Sequence, residues 1–389
     1  MKYQTAESVT LGHPDKAADF IADSILDACL KEDPESRVAC EVMLSHEVMM
    51  VAGEITTKAQ LNYQALAEEA VKTACGSVPD SFVSDIVMQS PDISQAVTKT
   101  DKKKQGAGDQ GIVYGYATTE TQEKIPLACA IAHGITNALI EEGPELGLGP
   151  DGKSQVTVAY NDDDTYHHVE TVVVSVQHQS GMTQNDITKK VKSIVDRTLM
   201  KYDPSHWWTA QLIINPSGRF VIGGYQADTG LTGRKLMVDS YGGLARHGGG
   251  LARHGGGAFS GKDPSKTDRS GAYMARWVAK AIISAGIADR AEVGIAYAIG
   301  KADPVMVTVD TFDTWRQIPD RYIAEAVSKV IDLTPEGIER TLHLKNYKAY
   351  KLTAAHGHFG VPSYPWELNY HEAGQRIKDA AYKLLTDQS

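Results

Sequence analysis

The stretch Pro14-Asp15-Lys16-Ala17-Ala18-Asp19-Phe20-Ile21-Ala22-Asp23-Ser24-Ile25-Leu26-Asp27-Ala28-Cys29-Leu30 opens the pattern from which the fold can be read. Proline sits at a first-turn position, and Ala17, Ile21, Ile25 and Ala28 recur at helical spacing. Asp15, Asp19, Asp23 and Asp27 occupy the other face, so residues 14–30 form an amphipathic helix. Outward from it, 37–44 and 47–55 are β-rich runs separated by Ser45-His46, which predicts a hairpin. A second helix over 58–75 and a strand over 82–88 complete an α-β-β-α-β order.

The same order returns from Ile125: a helix to 141, strands at 154–160 and 168–177, a helix over 184–200 and a strand at 212–214. It returns again near 265, with a helix to 285, strands at 292–299 and 305–311, and a helix after Pro319. Three copies of one plan predict three similar α+β domains related by pseudo-threefold symmetry, each a mixed sheet with helices on one face. The expected boundaries are 1–99, 104–223 and 224–389.

The chain has 389 residues, 42% hydrophobic and 23% charged, which excludes wholesale disorder, collagen and coiled coil. No apolar run reaches the roughly 18 residues of a membrane helix, and the first residues lack a signal-like apolar core. A cytoplasmic location without membrane attachment is expected. Cys29, Cys40, Cys75 and Cys129 are far apart and form no C-x-x-C pair, as reduced thiols would. Net charge is 39 minus 49, or -10, which argues against nucleic-acid partners. Residues 234–276 reverse that sign: eight Lys and Arg against three Asp, with ten glycines. Backbone amides and cations can there approach a compact polyanion such as a nucleotide triphosphate.

Gly12-His13-Pro14-Asp15-Lys16 stands at a helix start, where amides and the dipole favour an anion. His13 and Lys16 suit a phosphate and Asp15 its metal, although Asp15 also reads as an ordinary first-turn acid. Gly256 to Lys262 matches the G-x-x-x-x-G-K part of a phosphate loop, but Asp263 replaces the Ser or Thr metal ligand. Lys262, Lys266 and Asp268 gather at the start of the third unit's helix, where they could grip a magnesium polyphosphate or simply pair on the surface. Gly106 to Gly111 and Asp228 to Lys235 are turn-rich loops. No motif for an activated nucleophile is present.

Together, Gly12 to Lys16, Gly106 to Gly111, Gly218-Arg219-Phe220-Val221-Ile222-Gly223-Gly224 and Gly257 to Lys266 resemble the S-adenosylmethionine synthetase family, in order and approximate spacing over nearly the whole chain. The resemblance implies a three-domain pseudo-threefold fold and a methionine adenosyltransferase, in which methionine sulfur attacks C5′ of ATP and the triphosphate is then cleaved to pyrophosphate and phosphate. It assigns catalytic roles to His13, Lys153, Arg234, Lys262 and Lys266. His13, Asp151, Lys153, Phe220, Asp228, Arg234, Lys235, Lys262 and Lys266 would contact ATP. Glu54, Gln89 and Asp109 would contact methionine, Asp15 and Asp268 two Mg²⁺ ions, and Glu41 a K⁺ ion. It also implies a homodimer or dimer of dimers with shared sites, and a loop over the site at about 90–106. The sequence by itself leaves two other readings, a phosphate-loop kinase or ATPase and a nucleic-acid module on the basic glycine-rich segment.

One departure stands out. Leu244-Ala245-Arg246-His247-Gly248-Gly249-Gly250 is repeated identically as residues 251–257, where the family has one copy. The second copy adjoins the phosphate-binding segment and is expected to take the family's register, leaving 244–250 as an extruded loop. Seven added loop residues cost at most ~1 kcal/mol, whereas a charge displaced by about 1 Å can cost about 10²-fold in rate. Deletion of 244–250 is therefore expected to raise kcat and leave the melting temperature nearly unchanged; an unchanged kcat identifies a harmless loop, and unfolding shows that the register is different.

Overall fold

The computed structural model describes residues 1–89, 105–243 and 255–387. Its strands are β1 (Lys2–Val9), β2 (Arg37–Ser45), β3 (Val48–Thr56), β4 (Ser81–Val87), β5 (Gly111–Thr118), β6 (Leu148–Tyr160), β7 (Tyr166–His178), β8 (Gln211–Ile214), β9 (Gly230–Leu231), β10 (Arg290–Tyr297) and β11 (Met306–Asp310). The longer helices are α1 (Pro14–Glu32), α2 (Tyr63–Cys75), α3 (Leu127–Glu142), α4 (Gln184–Tyr202), α5 (Thr267–Ser284), α6 (Asp320–Val330) and α7 (His371–Thr386). The second helix starts at Tyr63 rather than 58, because the Asn62 side chain accepts the Ala65 amide and caps it there.

Three sheets form, in the orders β4-β3-β2-β9, β1-β6-β7-β8 and β11-β10-β5. Each is built on a hairpin, β2-β3, β6-β7 or β10-β11. In the first two a parallel strand joins the second hairpin strand, β4 on β3 and β8 on β7, so these sheets are mixed. The third is antiparallel throughout its described strands. Helices cover one face of the first sheet: Val38, Cys40, Val42 and Leu44 of β2 point into the core with Ala17, Ile21 and Ile25 of α1, while Ala39, Glu41 and Met43 alternate to the opposite face. This is the α+β, three-domain architecture expected.

The first strand of each hairpin takes its other neighbour from a distant part of the chain. β1 pairs along its whole length with β6, Lys2 opposite Tyr160 through Val9 opposite Lys153. β5 pairs with β10, Gly111 opposite Tyr297 through Thr118 opposite Arg290. β9 pairs with β2, Leu231 opposite Met43 and Gly230 opposite Leu44. The exchange is cyclic: the leading segment completes the second sheet, the middle segment the third, and the last segment the first.

The acidic face of α1 is not a solvated face. Asp15, Asp19, Asp23 and Asp27 are all buried, and each accepts backbone amides from the last part of the chain. Asp15 takes the Leu231 N–H at 3.0 Å, Asp19 that of Gly233 at 2.8 Å, and Asp23 that of Gly261 at 2.8 Å. Asp27 takes those of Tyr350 at 2.8 Å and Lys351 at 3.1 Å. Residues four apart in a helix stack on one face, so the row becomes a ladder along which residues 231–351 are fastened. The approach is close enough to demand glycine. A Cβ on Gly230 would lie 2.1 Å from the Pro14 carbonyl oxygen, and one on Gly261, at φ +79°, 2.0 Å from that of Cys40.

Arg269 forks onto Asp23 through Nη1 at 2.7 Å and Nη2 at 2.8 Å, so this rung is an ion pair buried on both sides. Removing one member of such a pair leaves the other charge uncompensated, typically at a cost of about 3–5 kcal/mol. Among the described residues no cation forks onto Asp27; burial first, with the Asp23 charge adding and the Lys351 and Tyr350 amides and Arg269 opposing, lifts its carboxyl to about 6. The folded protein therefore holds that proton where the unfolded chain has released it, and the contribution to stability falls as pH rises from about 4 to about 6. Asp27→Asn should remove that fall: the difference in unfolding free energy between wild type and variant, measured in denaturant, should decline across this window and level off above about pH 7.

Candidate active site

Two charged clusters lie at two helix starts, and both reach the same edge of β2. The first surrounds α1. His13 is its N-cap, with Nδ1 accepting the Asp15 N–H at 3.2 Å. The Asp15 carboxylate meets Lys235 Nζ at 2.5 Å and Arg234 Nε at 3.6 Å. Burial first, then the charges of Lys235 and Lys153, push the His13 imidazole down to about 3. His13 is thus neutral at physiological pH, within a ring of cations. Burial would raise the Asp15 carboxyl, but the Lys235 hydrogen bond and the Leu231 amide overcome it and hold it below its ordinary range.

Around the same helix start, Asp151 on β6 accepts the Gly224 N–H at 2.7 Å, and burial first, with Asp228 adding, raises its carboxyl. Lys153, two residues along that strand, stands opposite Val9 of β1. Phe220 is held twice by His178: its N–H donates to His178 Nε2 at 3.0 Å, and its carbonyl accepts the His178 N–H at 2.9 Å. A Cβ on Gly223 would come within 3.0 Å of the Phe220 ring. Asp228 is exposed and accepts the Thr229 N–H at 2.8 Å. Lys16 does not join this group. It is buried, and its ammonium turns to Asp19 at 3.0 Å and Asp239 at 2.5 Å, because two interior carboxylates outcompete an exposed anion for it.

The second cluster surrounds the start of α5. Lys262 bridges β2 opposite Ala39, and its ammonium meets Asp268 at 2.5 Å. Lys266 is the N-cap of α5 with no side-chain cap bond. Together with Gly108, Asp109 and Thr267, these three residues line a cavity of about 210 Å³. Glu41 and Glu54 share the uncovered face of the first sheet on β2 and β3, and Val87 of β4 stands opposite Glu54. Gln89, just beyond β4, donates its N–H to Thr56 at 3.1 Å. The Glu41 carboxyl is raised by desolvation first and by Glu54, with Lys262 opposing.

Within one chain the clusters stay apart. Leu231 stands opposite Met43 and Lys262 opposite Ala39, four residues or about 13 Å along β2. Residues 90–104 of the expected site loop, and 244–254 of the repeated heptad, lie outside the described residues. From the second heptad copy, Gly257 abuts Asp268, where a Cβ would lie 2.6 Å from the carboxyl, and Gly255 abuts the Ile112 carbonyl. Sequence reasoning missed the supports: His178 behind Phe220, the Gly224 amide on Asp151, and Asp239 under Lys16. Only the four-residue spacing of the α1 aspartates signalled any of the buried contacts.

Residues 1–98, 104–220 and 222–368 match the family models described as the N-terminal, central and C-terminal domains of S-adenosylmethionine synthetase. The chain belongs to the S-adenosylmethionine synthetase family. It is similar to the S-adenosylmethionine synthase of Acholeplasma laidlawii, at 46% identity over 92% of this chain and 93% of that protein. The corresponding figures are 45%, 94% and 96% for the Clostridium tetani protein, and 46%, 97% and 97% for that of Nocardia farcinica. As a member of the synthetase family the chain is an enzyme, a methionine adenosyltransferase. No described helix is long and apolar enough to cross a membrane.

The electrostatics of the first cluster can be tested directly. By NMR, the His13 imidazole is expected not to titrate between pH 5 and 8 in the synthetase without substrate. Lys235→Ala should raise its pKa, since one of the charges opposing protonation is gone; a wild-type midpoint near 6.5 would contradict this electrostatic assignment.

Proposed function

We propose that this enzyme joins ATP and L-methionine by in-line attack of the methionine sulfur on C5′ of the nucleotide. The C5′–S bond forms as the C5′–O bond breaks, its electron pair leaves with the triphosphate, and water then cleaves the triphosphate to pyrophosphate and phosphate. The observation that carries the reading is a site rich in cations, Lys235 and Arg234 on Asp15 and Lys262 on Asp268, in which burial and the charges of Lys235 and Lys153 disfavour a charge on His13. A thioether has no proton to remove, so the chemistry needs no general base. It needs positive charge placed where the leaving group becomes more negative.

In this reading His13, Lys153, Arg234 and Lys235 hold one side of the triphosphate and Lys262 and Lys266 the other; Lys235 and Lys262 are preorganised by their carboxylate partners Asp15 and Asp268. Phe220 stacks on adenine, with Asp151 and Asp228 on the nucleoside. Glu54, Gln89 and Asp109 hold methionine. Among the described residues, no three His, Cys, Asp or Glu side chains cluster as a metal-holding group. Asp15 and Asp268 each fit Mg²⁺ as single carboxylates completed by phosphate oxygens, and Glu41 fits K⁺. When bound, such ions would neutralise charge on the triphosphate.

The separation of the clusters along β2 favours a homodimer, or a dimer of dimers, in which the α1 cluster of one subunit faces the α5 cluster of its partner. The uncovered face of the first sheet carries exposed Val83 and Val87 with Glu41 and Glu54, and the third sheet exposes Ile112 and Met306, both opposite Ala296, as self-associating surfaces would. We place the enzyme in the cytoplasm, with domains over 1–99, 104–223 and 224–389. The kinase alternative loses support because Gly261 to Asp263 runs antiparallel along β2, whereas a phosphate loop joins a parallel strand to a helix.

Incubation of ATP and methionine with Mg²⁺ and K⁺ should give S-adenosylmethionine, pyrophosphate and phosphate; ADP as the main nucleotide product would exclude this reaction. Lys262→Ala should lower kcat by ~10²-fold or more, as loss of one electrostatic stabiliser does. Mixing it with inactive His13→Ala should restore part of the activity. No recovery despite subunit exchange would mean that each chain carries its own complete site.

A further inference from the structure

The one-turn helix Leu236–Asp239 is gripped at both ends by adjacent residues of α1. Asp15 takes Lys235, its N-cap, at 2.5 Å, and Lys16 takes Asp239, its last residue, at 2.5 Å. Neighbours of opposite charge on one helix thus hold the oppositely charged ends of another. The two grips differ in what reaches them. Lys235 is 18% exposed at the side chain and faces the His13 cluster, whereas Lys16 and Asp239 are each 1% exposed.

The Asp239 carboxylate depends on Lys16. Its Oδ1 accepts from the ammonium, with His358 Nε2 at 3.8 Å from the same oxygen, and its Oδ2 makes no hydrogen bond among the described residues. The backbone closes the turn, Asp239 N–H donating to the Lys235 carbonyl at 2.9 Å, and the His358 N–H donates to the Asp239 carbonyl at 3.1 Å. Any polyphosphate that recruits Lys235 must compete with Asp15 for it. When that contact opens, the buried pair remains as an ionic anchor between α1 and the turn, beside the longer Arg234–Asp15 contact at 3.6 Å.

We propose that Lys16 and Asp239 form a positioning pair that keeps Lys235 aimed at the site while the Asp15–Lys235 contact is exchanged for substrate phosphate. The proposal rests on the reading of Lys235 as a phosphate ligand, and it makes the family chemistry depend on two residues that touch no substrate. Lys16 is suited to this role because Asp19 also accepts from it, which fixes the ammonium against α1 before Asp239 arrives.

The test is a double-mutant cycle on the full-length enzyme, with tripolyphosphate and ATP binding followed by calorimetry and KM and kcat measured in parallel. Asp239→Asn leaves Lys16 its Asp19 counter-ion, so the fold should persist. It should weaken tripolyphosphate binding by roughly tenfold, as should Lys235→Ala. The double variant should be no more than about twofold weaker than Lys235→Ala alone, because the effect of Asp239 passes through Lys235. Losses that multiply, or unchanged binding in Asp239→Asn, would overturn the positioning role and leave the pair as a core contact. Wild-type binding in Lys235→Ala would instead overturn the phosphate reading of Lys235, and the proposal with it. If Asp239→Asn does not fold, Asp239→Glu, which keeps the charge but displaces it by a methylene, completes the cycle with the same outcomes.

Discussion

Four carboxylates on one face of α1 hold the molecule together, and the site is built at the end of that row. A buried carboxylate is tolerated only where hydrogen bonds or a cation replace its lost hydration. Asp15, Asp19, Asp23 and Asp27 meet that requirement with amides from residues 231, 233, 261, 350 and 351 and with the cations Lys235, Lys16 and Arg269. The ladder cannot be satisfied by the first segment alone. Docking of the last segment is therefore enforced by the cost of leaving acids buried and bare, and the same docking carries Arg234, Lys235 and Lys262 to the edge of β2. Stability and site assembly share one set of contacts.

The hairpins and their flanking helices were legible in the sequence because their signals are local: apolar spacing of 3.6 or 2, with turn residues between. The three strands that reading omitted, β1, β5 and β9, are the three that cross to another sheet. Lys2–Val9 alternates weakly, Gly111–Thr118 carries Gly115 where the backbone of α5 at Ala275 and Arg276 presses close, and Gly230–Leu231 is only two residues long. Their extended form is imposed by partners far away in the chain, which no local window contains. The α1 aspartates failed differently. Their spacing was read correctly and their environment was not, since periodicity reports that a face is polar without saying what lies against it.

The site divides in the same way. Helix-start motifs and the basic glycine-rich segment marked where anions could bind, and the family resemblance brought in positions such as Glu54, Gln89, Asp151 and Phe220 that are unremarkable in their local sequence. The structure brings Asp151 and Phe220 close to the start of α1 and sets Glu54 opposite Ala39 beside Lys262, and it supplies what the residue types could not: burial and lysines disfavouring a charge on His13, and the withdrawal of Lys16 into the interior. A lysine beside a histidine at a helix start looks like a phosphate ligand; only the position of Asp19 and Asp239 shows where its charge is spent.

The cyclic exchange of strands also governs how such a chain can be made. On a ribosome, β1 emerges early but has no partner until β6 has followed it some 150 residues later, on the order of ten to thirty seconds of synthesis. The first sheet likewise waits for Gly230 and Leu231, and the α1 ladder for Lys351. The second sheet can close once β8 has emerged, but the first keeps an open β2 edge until Gly230 and Leu231 arrive, and Asp27 stays bare until Lys351. An N-terminal fragment would retain those defects permanently, which makes a truncated translation product of this enzyme a natural client for chaperones and proteases rather than a partly working domain.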